Sequence, residues 1–270
     1  MLSILVCHSY FLRFDAKQAE RRKPYPPLAT LQCAALLRRA GHQVSLFDAM
    51  LAENVGEYQR TLHSVQPQVV LLYADNFNFL SKMCLAKMRA AACQMIAAAR
   101  GAGARVIAAG SDVTDAPEPY LRAGADVALK GEGLPALLEL LRRLDLAPEA
   151  SAASIVHGVP GTATLAGQGV SAINGAKLLP EVELSERAAW DLVDMDRYRA
   201  AWLAAHGYRY VSFPGEMWME FASLEEAVEL SEIFHPHAAQ EVRRRGKPRV
   251  PYEVVRVNPP RDLAYKEIVA

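Results

Sequence analysis

Three short clusters of glycine and hydrogen-bonding residues stand out in the first half of the chain. They are Ala74-Asp75-Asn76-Phe77-Asn78-Phe79-Leu80-Ser81, Ala109-Gly110-Ser111-Asp112 and Lys130-Gly131-Glu132-Gly133. Asp75, Asn76, Asn78 and Ser81 place carboxylate, amide and hydroxyl groups within one stretch, and helix capping accounts for only one of them. Gly110, Gly131 and Gly133 let backbone come close to a ligand, although glycines also serve ordinary turns. Clearance combined with dispersed polar groups suits a sizeable ligand held by many contacts. Cys7, Cys33, Cys84 and Cys93 form no C-x-x-C pair. They predict neither a zinc site nor a disulfide framework and suit a reducing, cytoplasmic setting.

The elements that must position these clusters follow from periodicity. Ser3 to Cys7, His42 to Phe47, Gln68 to Tyr73, Arg105 to Ala108 and Asp126 to Leu129 read as five strands, short and apolar as doubly covered parallel strands are. Between and after them, helical spacing predicts helices over Leu28–Ala40, Asn54–Val65, Leu80–Arg100, Pro117–Ala123 and Leu134–Leu144, with Gly41, Pro67, Gly101 and Gly124 as stops. Five strands alternating with five helices predict an α/β fold, a flavodoxin-like (Rossmann-like) doubly wound five-stranded parallel sheet in the order 2-1-3-4-5. The three clusters then fall at the carboxyl ends of strands three, four and five, where such sheets bind ligands. The loop after strand one, His8 to Pro27, is long enough to be functional. Its Tyr10, Phe11 and Phe14 are either a ligand platform or a loop packed on its own side chains.

The 270 residues carry 30 Lys+Arg against 30 Asp+Glu, for zero formal charge. That balance lacks the electrostatic footprint of a nucleic-acid binder, and no apolar run approaches the length needed to span a bilayer. Neither nucleic acid nor membrane is an expected partner. Residues 1–146 are read as the sheet domain. Residues 147–208 form a linker, Ala147 to Ser154, and a small α/β extension, with strand-like runs in Ile155 to Val159 and in Gly161 to Asn174, the latter turning at Gly167-Gln168-Gly169. Residues 209–270 make a C-terminal tail. In it Leu224–Phe234 is a helix capped by Ser223 with Glu226, Arg243–Lys247 a solvated basic helix end, and His235-Pro236-His237 a surface pair.

One catalytic alternative can be weighed on the residues. A phosphoacceptor receiver needs an Asp after strand three, a hydroxyl after strand four and a Lys after strand five, and Asp75, Ser111 and Lys130 stand there. It also needs hard oxygen ligands for magnesium after strand one, where the sequence reads Cys7-His8-Ser9. The receiver reading fails there.

The strings Pro24-Tyr25-Pro26-Pro27-Leu28, Gly41-His42-Gln43-Val44, Gly110-Ser111-Asp112 and Gly131-Glu132-Gly133 occur in an order and spacing that resembles one family. It is the N-terminal cobalamin (vitamin B-12)-binding module of cobalamin-dependent radical SAM enzymes. The resemblance continues through Trp190-Asp191-Leu192-Val193-Asp194-Met195-Asp196-Arg197-Tyr198-Arg199 and His206-Gly207-Tyr208, covering residues 2–208. It implies a corrinoid across the carboxyl edge of the sheet, with Asp75, Asn76, Asn78 and Ser81 on one side. Gly110, Ser111, Asp112, Gly131, Glu132 and Gly133 would accommodate its tail and amides. The Asp-x-His-x-x-Gly motif that supplies an axial histidine is absent, so no histidine on cobalt is expected and His8 is read as packed at a strand end.

The family's Cys-x-x-x-Cys-x-x-Cys motif holds an iron–sulfur cluster that binds S-adenosylmethionine. No cysteine follows Cys93, and too little chain follows Tyr208 for a barrel of about 200 residues or more. The expectation is therefore a corrinoid-presenting protein with no catalytic residue of its own, acting with a partner that carries the radical chemistry. An internally deleted relative, faintly signalled by Phe213-Pro214-Gly215-Glu216, and a cofactor-free interaction protein are the alternatives.

Overall fold

In the computed structural model the apolar runs of the N-terminal half form a sheet with helices on both faces. The structure describes residues 1–21, 24–74, 85–131, 133–167, 169–173, 188–205, 209–211, 218–234, 236–251 and 263–265. The chain divides into two compact units, Met1–Trp202 and Leu203–Ala270.

In chain order the first unit comprises β1 (Ser3–Cys7), a 3-10 turn at Leu12–Phe14, α1 (Ala16–Arg21), α2 (Leu28–Arg39), β2 (Gln43–Phe47), α3 (Val55–Val65) and β3 (Val69–Ala74). It continues with α4 (Leu85–Gly101), β4 (Arg105–Gly110), α5 (Ser111–Asp115), α6 (Pro117–Arg122), β5 (Val127–Leu129), α7 (Leu134–Leu146) and α8 (Ala152–Val156). The hairpin β6 (Thr162–Ala166) and β7 (Gly169–Ile173) follows, then a 3-10 turn at Trp190–Leu192 and α9 (Met195–Ala205).

The sheet order is β2-β1-β3-β4-β5-β6-β7. Strands β1 to β5 pair in parallel, in the expected order. The expectation of five strands is corrected: the sheet has seven. The hairpin foreseen in the extension is present, but β6 pairs antiparallel with β5 through Ala128↔Ala163 and Leu129↔Thr162. Without it β5 would offer an unpaired row of backbone groups, and an antiparallel addition is a common way to cover such an edge.

Alternation along each strand sorts the core into two layers. Leu5, Val70, Leu72, Val106 and Ala108 face one side, where they meet Tyr58 and Leu62 of α3, Met95 and Ile96 of α4, and Leu121 of α6. Ile4, Val6, Val69, Leu71 and Ile107 face the other, against Leu37 of α2, Leu137, Leu140 and Leu141 of α7, and Ile155 of α8. Complete burial of each aliphatic side chain stabilises by about 1.5–3 kcal/mol, which fixes which face of every helix turns inward. Asn54 caps α3 by accepting from the Gly56 amide at 2.8 Å. Ser151 caps α8 by accepting from the Ser154 amide at 3.2 Å, so a helix occupies the end of the expected linker and replaces the start of the strand-like run expected from Ile155.

The second unit holds β8 (Arg209–Val211), β9 (Trp218–Glu220), α10 (Leu224–Phe234), α11 (Pro236–Arg245), β10 (Arg249–Pro251) and β11 (Leu263–Tyr265). Strands β9 and β10 pair antiparallel, as do β8 and β11. The foreseen cap of α10 is present: Ser223 Oγ accepts from the Glu226 amide at 3.1 Å, and Glu226 reaches back to the Ala222 amide at 2.9 Å. Arg244 and Arg245 at the end of α11 pair with Glu241. His206-Gly207-Tyr208, Phe213-Pro214-Gly215-Glu216 and His235 lie outside the described residues.

Candidate functional site

In the first unit the chain leaves β1 toward β2 on one side, and β3 leads to β4 and β5 on the other. The switch in direction lies between the carboxyl ends of β1 and β3, the place where open α/β sheets bind ligands. His8 and Ser9 follow β1 there, Ala74 ends β3, Gly110 ends β4, and Lys130 and Gly131 follow β5. Asp75, Asn76, Asn78, Ser81 and Glu132 lie outside the described residues.

The residues after β4 separate into ties and one unfilled group. Gly110 has φ +130°, and a Cβ built on it would lie 2.3 Å from the Ala74 carbonyl oxygen. Glycine is required there because the ends of β3 and β4 approach too closely for any side chain. Asp112, 7% exposed, is gripped by Arg89 of α4 through Nε at 2.7 Å and Nη2 at 2.5 Å. It also accepts from the Tyr120 hydroxyl of α6 at 2.5 Å. Burial works to raise the Asp112 pKa, but the bonds from Arg89 and Tyr120 outweigh it and hold the carboxyl below its ordinary range. The carboxylate thus joins α4, α5 and α6. Ser111 differs: its Oγ is buried and has no hydrogen-bond partner among the described residues. Such a group costs about 1–3 kcal/mol when nothing satisfies it, so its position at the carboxyl edge of the sheet calls for an explanation.

The end of β5 is tied to that of β4 through Thr114. The Gly131 amide donates to Thr114 Oγ1 at 3.0 Å, and Thr114 Oγ1 donates to the Gly110 carbonyl at 2.9 Å. Gly133, with φ +67°, opens α7, and a Cβ there would meet Leu129 Cβ at 2.9 Å. Gly110 and Gly133 therefore have packing reasons for being glycine, whatever a ligand adds. The structure gathers Gly110, Ser111, Asp112, Gly131 and Gly133 at neighbouring strand ends. Among them Ser111 alone has an orphaned polar side chain.

After β1, His8 is fully buried. Its Nδ1 accepts from the Tyr10 amide at 3.3 Å, and its Nε2 lies 2.9 Å from Asp48 Oδ1 and 3.2 Å from the Ala49 amide nitrogen. Asp48 also accepts from the Met50 amide at 3.0 Å and from the Tyr198 hydroxyl of α9 at 2.5 Å. Burial raises the Asp48 pKa, yet the bonds and charge of His8, with Tyr198 and Met50, bring it below the ordinary carboxylate range. His8 sits packed at the strand end, as the sequence reading had it. The aromatic loop resolves toward packing on its own side chains: Phe11 is fully buried and stacks on Phe14 at 4.8 Å between centroids. Tyr10 donates to Asp15 at 2.9 Å.

Burial alone pushes the Cys33 thiol up to about 12, and burial, only partly offset by Tyr58, raises Cys7 as well. Both thiols are inert packing groups under ordinary conditions. Among the described residues no group of His, Cys, Asp and Glu is arranged to hold a metal ion, and no helix is long and apolar enough to cross a membrane.

Sequence reasoning missed Arg89, Thr114, Tyr120 and Asp48. Only the order of elements in space reveals the first three, because each acts on a partner from a different element or on a helix too short to read. Asp48 had a signal, being the first residue after a strand. Tyr198 lay within the stretch carrying the family resemblance but was given no role. Compared with known protein families and with curated proteins, the chain matches none.

Proposed function

We propose that this protein binds a corrinoid, cobalamin, at the carboxyl edge of its parallel sheet, in the manner of a flavodoxin-like cofactor domain, and presents it to a protein partner that carries radical SAM chemistry. The observation that carries the reading is the buried Ser111 hydroxyl, without a partner among the described residues, at the end of β4, one strand from the point where strand order reverses. A hydroxyl in that position is satisfied by a ligand that brings a hydrogen-bonding group. The five parallel strands in their 2-1-3-4-5 order and the motif resemblance over residues 2–208 support the same reading.

The residues present fit such a ligand. Ser111 and the backbone around Gly131 and Gly133 would hold it, with Gly110 keeping the strand ends together and Asp112 fixing the helix that carries Ser111. Asp75, Asn76, Asn78, Ser81 and Glu132 are assigned to the same site from the sequence. His8 does not fit as a cobalt ligand, because both ring nitrogens are already engaged. When bound, a corrinoid supplies a cobalt centre able to carry a methyl group. The chain itself binds and orients, and no catalytic side chain, cluster or S-adenosylmethionine site is assigned to it.

Incubation with hydroxocobalamin, desalting and a visible spectrum test the proposal. Stoichiometric retained colour is expected, reduced in Ser111→Val. A chain that stays colourless at micromolar corrinoid overturns the proposal in favour of a cofactor-free interaction protein. Iron and sulfide analysis adds a second check: stoichiometric iron would overturn the assignment of the radical chemistry to a partner and favour an internally deleted radical SAM relative.

A further inference from the structure

A second concavity lies at the β2 side of the sheet, separate from the residues that follow β4 and β5. It is a cleft of about 460 Å³ beside the outer strand β2, between α3 and the segment from Leu192 to Tyr198. Its size is that of a small-molecule site. Leu46, Leu51, Val65, Leu192 and Val193 give it an apolar floor, while Arg60 and Thr61 of α3 and Asp194 and Arg197 of the opposite wall bring polar groups.

The polar groups differ in how far they are already satisfied. Asp194 accepts from the amides of Asp196 and Arg197 at 3.1 and 3.3 Å. Asp48 is held by His8, Met50 and Tyr198, as above. Glu57 accepts from the Glu53 amide at 2.8 Å, and Thr61 Oγ1 donates to the Glu57 carbonyl at 3.1 Å. Among the described residues, neither the Arg60 nor the Arg197 guanidinium meets a carboxylate or another hydrogen-bond acceptor. Each guanidinium presents planar donors whose geometry matches carboxylate and phosphate oxygens. Every carboxylate around the cleft has protein donors, whereas both cations lack acceptors. The exposed guanidinium groups are thus the charges left available to a ligand, which favours an anion, and the apolar lining suits a compact hydrocarbon body attached to it.

We propose that this cleft is a binding site for a small organic oxyanion, a phosphate or carboxylate on a compact apolar body, held between Arg60 and Arg197. The site is independent of the corrinoid reading, since it shares no residue with the strand-end cluster. The segment that closes it is tied to α2 near one end and to the residue after β2 at the other. Arg38 pairs with Asp191 at 2.7 Å, and Tyr198 bonds Asp48. The two walls therefore keep a set separation before any ligand arrives.

Phenyl phosphate is the probe, titrated into the full chain by calorimetry, with inorganic phosphate and phenol as its separate halves. Saturable binding is expected, about tenfold or more tighter than either half. Arg60→Gln and Arg197→Gln should each weaken it about tenfold, the loss of one charge-assisted contact. Their combined effect should fall short of the product if both cations grip one anion. Both side chains are exposed, so circular dichroism should show the native fold in each variant. Ser64→Asp, an exposed change on the same helix face, leaves both arginines in place and should weaken binding by adding an opposing charge. Ser111→Val should leave phenyl phosphate binding unchanged. Affinity no better than that of inorganic phosphate, equal affinity in the arginine variants, or no saturation at millimolar probe would each overturn the proposal.

Discussion

Asp112 makes a sharp test of how this edge of the sheet is built, because its sequence position invites a ligand role and its surroundings give it another. Its side chain is 8% exposed, and its Arg89 partner is 33% exposed. Breaking a fully buried pair costs about 3–5 kcal/mol. Solvent reaching Arg89 reduces that to about 2 kcal/mol, between the buried and surface limits. Loss of the charge that accepts from Tyr120 adds about 1 kcal/mol. Asp112→Asn, which preserves shape, should therefore destabilise by about 3 kcal/mol, a fall in melting temperature of about 6–12 °C for a unit of this size.

Urea denaturation of Asp112→Asn, Arg89→Met and the double variant measures the pair directly. A coupling energy of about 1 kcal/mol or more is expected, since the second change removes a group already left without its partner. The pH dependence has a defined sign. The folded carboxyl titrates below its unfolded value near 3.9, so its contribution is complete above that value and fades as pH falls through the lower folded one. The gap between wild type and Asp112→Asn should close below about pH 4. A variant within about 1 kcal/mol of wild type at pH 7, or two single changes that simply add, would refute the structural tie.

Gly110→Ala sets a methyl group 2.3 Å from the Ala74 carbonyl at a φ of +130°. It should cost about 3 kcal/mol or more, read as a lower urea midpoint, because neither backbone can retreat without breaking the β3–β4 ladder. Ser111→Ala should behave oppositely. Removing an unsatisfied hydroxyl leaves apo stability unchanged or raises it by up to about 1 kcal/mol, while corrinoid retention falls; a clear loss of apo stability would mean that the hydroxyl has a structural partner. Cys7 and Cys33, both buried with raised pKa values, should resist iodoacetamide at pH 8 in the folded protein and react once urea unfolds it, as mass spectrometry would show.

The parallel core was legible because its strands are continuous apolar runs and its helices carry stripes at helical spacing, signals that survive without knowledge of neighbours. The hairpin was legible as a hairpin but not as part of the sheet. Alternation in Thr162–Ala166 says which side chains share a face, and nothing local says that Ala163 will pair with Ala128. Helix α5 was not read because Ser-Asp-Val-Thr-Asp is a poor helix-forming sequence. Its turn is held by Asp112 reaching Arg89, 23 residues earlier. Helix α8 was not legible because Ala and Ser before Ile155 suggest a linker and the apolar Ile155–Val156 suggests a strand, whereas the Ser151 cap and the burial of Ile155 and Val156 make one helical turn.

The same contrast governs the candidate site. Sequence can show that polar residues gather at strand ends, but a ligand edge is defined by polar atoms that the protein leaves unsatisfied. Of the described candidates, Asp112 is consumed by Arg89 and Tyr120, while Gly110 and Gly133 are demanded by backbone packing. Thr114 joins the Gly131 amide to the Gly110 carbonyl. These ties hold the ends of β3, β4 and β5 in one arrangement before a ligand binds. The His8–Asp48–Tyr198 chain does the same for β1, β2 and α9. Against that fixed frame the Ser111 hydroxyl is conspicuous, since Asp112 and Thr114 beside it have protein partners. A frame held this firmly would lose little conformational entropy on binding, so one orphaned hydroxyl and open backbone can contribute to affinity with little offset from ordering. The edge is therefore better suited to receiving a preformed, rigid ligand than to folding around a flexible one.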